Sequence, residues 1–242
     1  MLHNYPKFYK RINNKASTYF TIVYNLFKKN LNSVSELDFD NYECVDSCEE
    51  DLINEYHIMI VFSAMTLEAF INDYLAVCLT DDFYYANFDK LNVIQKIEIL
   101  YSILWGGDSF DKSSELYNRI QVLLKERNLL VHSKSKELDE NLIKSASDFE
   151  DEITGQELEK QLLNSSLEQI ILLLKDSFSA IKVIFLFCKA VDEHDKNRNA
   201  VVLTMSCITN GEIFDSKQKN NYINKEMNKI ENSINQLKKS FK

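Results

Sequence analysis

Apolar residues recur along this chain at intervals of three and four, over stretches longer than any ordinary strand. Between residues 5 and 31, Phe8, Ile12, Tyr19, Phe20, Val23, Leu26 and Phe27 fall at mostly helical spacing. This predicts an amphipathic first helix with its basic residues on the opposite side. An acidic connection, "SVSELDFDNYECVDSCEED", leads to Ser47 and Glu50, which are spaced as a capping box. A second, long helix is therefore predicted to open there and run to about Thr80, with "MIVFSAMTLEAFINDYLAV" as its apolar centre. "DDFYYANF" reads as an aromatic loop. A third helix is expected over about 91–105, stopped by Gly106 and Gly107, and a fourth from near Ser113.

The periodicity then lapses. Residues 133–163 form a charged insertion, "SKSKELDENLIKSASDFEDEITGQELEKQ" at its heart, with too little apolar content for a core element. It reads as a mobile loop with short helical turns. Helical spacing resumes in a fifth, strongly apolar segment over about 164–192. Residues 200–214, "AVVLTMSCITNGEIF", suit either a hairpin around Asn-Gly or a short helix, and the helix is favoured. At the end, Ile223, Met227, Ile230, Ile234, Leu237 and Phe241 are spaced 4-3-4-3-4. That seam predicts a helix over about 217–241 that packs first on its own domain, with a contact between subunits as the alternative.

Composition strengthens the helical reading. The chain has 242 residues with only four Gly and one Pro, Pro6, so few backbone breakers interrupt it; an all-α, multi-helix bundle is expected. It reads as a single domain over 1–242 with its core at about 50–192 and additional N- and C-terminal helices. The 45% hydrophobic and 27% charged residues are those of an ordinary water-soluble protein. The N-terminus has no apolar signal-like region. The segment at 165–194 is broken by Lys175, Asp176, Lys182 and Lys189, so it reads as a core helix and no membrane span is expected. Cysteines at 44, 48, 78, 188 and 207 lack a disulfide-like framework. A cytoplasmic location follows.

Charge supplies the first functional lead. The net charge is −9, yet residues 125–136, "KERNLLVHSKSK", carry four Lys/Arg against Glu126 alone. A local reversal of sign suggests an anionic ligand. The four scattered Gly cannot form a phosphate-binding loop or a dinucleotide fingerprint. Cys44 and Cys48 have no partner pair at zinc-like spacing, so neither metal nor cofactor is expected. His3, His57 and His194 read as surface or packing residues.

Arg127, Asn128 and His132 remain as the candidate reaction centre. A histidine titrating near pH 6.5 can act as base or acid, and an arginine fork suits phosphate oxygens. RNA needs little more: a base for its 2′-OH, an acid for the leaving 5′-oxygen and a cation for the phosphorane. Lys125, Lys134 and Lys136 would hold the strand by charge. Helical geometry sets a condition, since Arg127 and His132 lie about 140° apart with about 7.5 Å of rise between them. They converge if the helix ends near His132, if Arg127 reaches round, or if a two-fold axis brings a second copy opposite. Without such convergence, Arg127 would simply pair with Glu126 or the acidic insertion while His132 capped a helix.

"RNLLVH" resembles the R-x4-H motif of the HEPN superfamily (higher eukaryote and prokaryote nucleotide-binding domain), and "FSAMTLEAFINDYL" resembles the Ser, Leu-Glu-x-Phe-Ile-Asn segment frequent in its bacterial members. The resemblance covers about residues 50–135. It implies a helical bundle that forms a homodimer with two motifs lining one cleft at the two-fold interface. It also implies a metal-independent endoribonuclease leaving a 2′,3′-cyclic phosphate, in toxin–antitoxin pairs or in antiviral and abortive-infection systems, with an antitoxin or sensor as partner protein. Arg127 and His132 would be catalytic, Asn128 the polar residue after the arginine, and Glu68 a cleft residue of the long helix. The alternative is a HEPN-like module that binds RNA, a nucleotide or a protein without cutting.

Overall fold

The computed structural model describes residues 15–106, 109–132, 155–194 and 216–241. Among the described residues the regular structure is entirely helical. The seven α-helices are α1 (Lys15–Ser35), α2 (Tyr42–Leu79), α3 (Asp81–Asn87), α4 (Val93–Ile99), α5 (Glu115–Val131), α6 (Gly155–His194) and α7 (Ser216–Ser240). The all-α expectation holds.

The long helices α2 and α6 form the spine. They run side by side in the same direction, since Tyr56 lies beside Asp176 and Phe70 meets Phe187 further along. Against them α1 runs antiparallel, with Phe20 on Phe185 and Phe27 on Phe178. Helix α5 is antiparallel too, its Arg119 Nη1 donating to Ser179 Oγ at 2.8 Å while Glu126 faces Asp176. So is α7, through Lys182–Glu231 and Lys189–Asn224. The apolar stripes of all five converge on one core of Phe20, Phe27, Ile60, Leu67, Ile71, Ile120, Leu174, Phe185 and Ile230. Burying such stripes, rather than local propensity, is what holds helices of this length.

Several element boundaries depart from the sequence reading. Helix α2 starts at Tyr42, capped by Asn41, whose side chain accepts from the Cys44 amide. The Ser47/Glu50 pair therefore lies inside the helix, because Val45 is drawn into the core and pulls the first turn with it. "DDFYYAN" is α3, not a loop. It packs through Tyr84, and the chain turns into it at Thr80, which holds φ +76° and ψ 149°. The third helix begins as expected but ends in a π-turn over Leu100–Leu104, and Gly106 stops it at φ +111°. Residues 155–163, expected in the loop, are the first turns of α6, projecting with Leu158 and Leu162 exposed. The expected helix over 5–14, the rest of the insertion (133–154) and the alternatives for 200–214 fall outside the described residues.

The C-terminal seam packs on its own domain, with Ile223, Met227, Ile230, Ile234 and Leu237 all buried. Tyr24 donates to the buried Glu226, which also faces Lys28 at 3.6 Å. His194 stacks on Trp105 at 5.3 Å, a packing role, and Trp105 Nε1 donates to Tyr74 Oη at 3.0 Å. By length and composition α2 could cross a bilayer, but 56% of its apolar window is buried inside the bundle.

Candidate functional site

Helix α5 carries the charged motif, and both its ends are fixed locally. Ser114 Oγ accepts from the Tyr117 amide at 3.1 Å and so caps the start. Just ahead, Asp111 accepts from the amide and hydroxyl of Ser113, bonds that hold its carboxyl below the usual range. At the other end His132 is the last helical acceptor's partner, its N–H donating to Asn128 O at 3.0 Å. Its own backbone has left the helix, at φ −117° and ψ 31°. The helix thus ends at His132, one of the three arrangements that spacing allowed.

That ending does not bring Arg127 and His132 together. Leu116, Ile120 and Leu123 form the inner stripe of α5, and Arg127 continues it at helical spacing. Asn128 and His132 are exposed. Arg127 is half-buried, and its Nε is sealed from solvent with no hydrogen-bond partner among the described residues. It does not pair with Glu126. That carboxylate instead accepts from Tyr56 Oη of α2 at 2.9 Å, and burial followed by this bond pushes the Tyr56 phenol up. A buried guanidinium nitrogen without a partner is costly, and in native structures such groups commonly await a ligand or water.

Arg127 opens onto a groove of about 800 Å³ between α4 and α5. Its lining includes Glu68, Lys125, Arg127 and Asn128, four of the residues expected at the site, together with Lys112 and Gln121. His132 is not among the lining residues. Lys134 and Lys136 lie outside the described residues. The volume is in the range of small-ligand sites, and the lining mixes the cations Lys112, Lys125 and Arg127 with the carboxylates Glu68 and Glu98 and with apolar Val93, Ile94 and Leu124.

The groove's far wall, α4, was not legible as part of a site. It is too short to stand alone, and two devices hold it. Asn92 and Gln95 form a reciprocal capping box, with bonds of 3.0 and 3.1 Å. Lys96 is 2% exposed, and its ammonium donates to Asn72 Oδ1 and to Asp89 O, each at 2.9 Å. Burial lowers the Lys96 pKa, with the charges of Glu68 and Asp89 acting in the opposite direction. Tyr84 Oη also donates to Asn72 Oδ1, at 2.8 Å, and burial first, then neighbouring carboxylates, pushes its phenol up to about 12.

The "FSAMTLEAFINDYL" segment acquires physical roles from these contacts. Leu67, Phe70, Ile71 and Tyr74 are core residues. Asn72 is the acceptor that pins α4, and Glu68 sits between the groove and the Lys96 cluster. Among the described residues no group of three or more His, Cys, Asp or Glu is placed to hold a metal ion. Comparison of the chain with protein-family models, with curated proteins and with solved structures returns no match.

Proposed function

We propose that the chain is a cytoplasmic, metal-independent endoribonuclease of the HEPN type that works as a homodimer, in a toxin or an antiviral or abortive-infection role. The observation that carries the reading is Arg127: a guanidinium that continues the buried stripe of α5, leaves its Nε unpartnered and opens onto a polar groove. The all-helical bundle and the R-x4-H spacing support it alongside.

The chemistry assigns each residue a task. His132 takes the 2′-OH proton, and the oxygen so freed attacks the adjacent phosphorus. Arg127 neutralises the charge building on the phosphoryl oxygens. A protonated histidine returns a proton to the departing 5′-oxygen, leaving a 2′,3′-cyclic phosphate and a 5′-OH. Asn128 orients the phosphate or the imidazole. Lys125, Lys134 and Lys136 hold the strand, and Glu68 accepts from ribose or base donors in the groove. Because Arg127 and His132 of one chain face different sides, a second copy completes the centre, each site taking its arginine from one protomer and its histidine from the other. An enzyme of this kind needs restraint in its own cell, which is the place for an antitoxin or sensor partner.

The same divergence of Arg127 from His132 favours a second reading, a binding module that holds RNA in the groove without cutting it. Incubation of the protein with RNA in EDTA separates the two. The enzyme reading predicts cleavage with cyclic-phosphate ends, abolished in Arg127→Ala and in His132→Ala. Intact RNA from folded protein that nevertheless binds it establishes the binding module.

A further inference from the structure

On the side of α5 opposite the groove lies a second polar cleft that the proposed chemistry does not use. It is a cavity of about 50 Å³ between α5 and α6, lined by Ile60, Arg119, Glu126, Asp176 and Ser179 among others. That is room for a water molecule. Two carboxylates from different helices, Glu126 and Asp176, face it together. We propose that Glu126 and Asp176 form a proton-controlled clasp between α5 and α6, which sets the position of the last turn of α5 and couples it to pH.

The charges around the pair lead to this assignment. From α2, Tyr56 donates its only hydroxyl proton to Glu126 Oε2 and so fixes one carboxylate without neutralising it. From α5, Arg119 is the one cation among the described lining residues, but its Nε is committed to Glu115 at 2.8 Å and its Nη1 to Ser179 at 2.8 Å. From α6, Lys175 is the one cation among the described residues that eases Asp176, and its influence is smaller than that of burial or of Glu126. Neither Glu126 nor Asp176 makes an ion pair with any described residue. Two carboxylates sharing a cleft with no ion pair of their own are relieved when one of them takes a proton and donates it to the other. Asp176 is the group that takes it, since burial first and the charge of Glu126 second raise its carboxyl above the ordinary value.

The mechanical consequence follows from sequence. Glu126 precedes Arg127, and the helix ends six residues later at His132. With the proton in place, Asp176 and Glu126 draw the α5 C-terminus onto α6; without it, they push the two apart. The sign is fixed by linkage. A carboxyl with a raised folded-state pKa makes a penalty that is absent below its unfolded value and develops as pH rises through the folded one. The clasp therefore tightens in acid and loosens toward neutrality. The clasp is a property of the fold, and only its effect on RNA chemistry rests on the ribonuclease reading.

The test compares the full chain with Asp176→Asn, in which the position is permanently uncharged, and with Glu126→Gln as a second isosteric variant. Thermal unfolding and hydrogen exchange of amides 129–132 are followed from pH 4 to 8. The variant should exceed the parent in Tm by roughly 2–4 °C near neutrality, and this gap should close in acid. Protection of the last turn should fall with pH by up to about tenfold in the parent and stay level in Asp176→Asn once intrinsic rates are removed. Parallel Tm curves with identical pH trends in exchange overturn the clasp. Should Asp176→Asn fail to fold, the same comparison with Glu126→Gln decides. None of these readouts requires RNA cleavage, so an inactive parent protein would overturn the ribonuclease reading alone.

Discussion

Replacing Lys96 by Met tests whether the groove's wall is held as described. The substitution conserves length and approximate volume while removing the ammonium and its two bonds, to Asn72 Oδ1 and Asp89 O. Hydrogen bonds to a charged donor contribute about 1.5–3 kcal/mol each, so the two together are worth about 3–6 kcal/mol. Against this stands the cost of keeping an ammonium at 2% exposure, a penalty of several kcal/mol per buried ion that the lowered Lys96 pKa registers. The Asp89 carbonyl also loses its partner. We expect a net destabilisation of about 2 kcal/mol, or roughly 4–8 °C in Tm for a chain of this size, read by circular dichroism during heating and by urea titration. Because Tyr84 shares the Asn72 acceptor, Tyr84→Phe should combine non-additively with Lys96→Met. On the proposed function, RNA binding should weaken as well, since α4 and its cap supply Asn92, Gln95 and Glu98 to the groove's lining. A Tm within about 1 °C of the parent, or above it, would refute the latch.

Other perturbations probe separate parts of the account. Thr80 holds a backbone conformation at φ +76° and ψ 149° that only glycine adopts without strain; Thr80→Gly should stabilise the protein by about 1 kcal/mol, checked by Tm. Asn30 is 2% exposed with Nδ2 unpartnered, so Asn30→Leu should also stabilise, by about 1 kcal/mol, measurable by urea denaturation. The Arg119 bond holds the Glu115 carboxyl below its ordinary range, which contributes stability above the unfolded pKa that is lost as pH falls through the folded one. Glu115 is 57% exposed, so the Tm gap between parent and Glu115→Gln should correspond to no more than about 0.5 kcal/mol near neutrality and close in acid, once the carboxyl is protonated in the folded protein.

Fold class was legible because it depends on what the chain lacks: with four Gly and one Pro, long apolar periodicities have nothing to interrupt them. Boundaries were less so. Ser47 and Glu50 satisfy the capping-box pattern, but burial of Val45 carries α2 back to Asn41. The start of α6 projects from the bundle with Leu158 and Leu162 exposed, so the apolar signal that marks a core helix begins only after it. The start of α5 was expected near Ser113, one residue before the Ser114 that caps it.

The site divides along the same line. Helical geometry alone shows that Arg127 and His132 diverge, and the helix end at His132 was among the alternatives left open. What no reading of α5 could supply is the fate of Glu126. Its partner is Tyr56, 70 positions away on α2, and that bond leaves Arg127 without the neighbour expected for it. The groove wall at Asn92–Glu98 was hidden likewise, because it reaches α5 only through tertiary packing, although Asn92 and Gln95 carry a capping signature that sequence displays.

On the proposed function, Arg127 and His132 build a phosphodiester-cleaving centre across two copies of the chain. Mixing Arg127→Ala with His132→Ala protein tests it most directly. Each variant alone should leave RNA intact, and an equimolar, subunit-exchanged mixture should regain about a quarter of the wild-type rate, because half the dimers are mixed and each mixed dimer restores one of two sites. A mixture as inactive as its components, from variants shown to exchange subunits, would contradict the shared centre. Wild-type protein that leaves RNA uncut would contradict the ribonuclease itself.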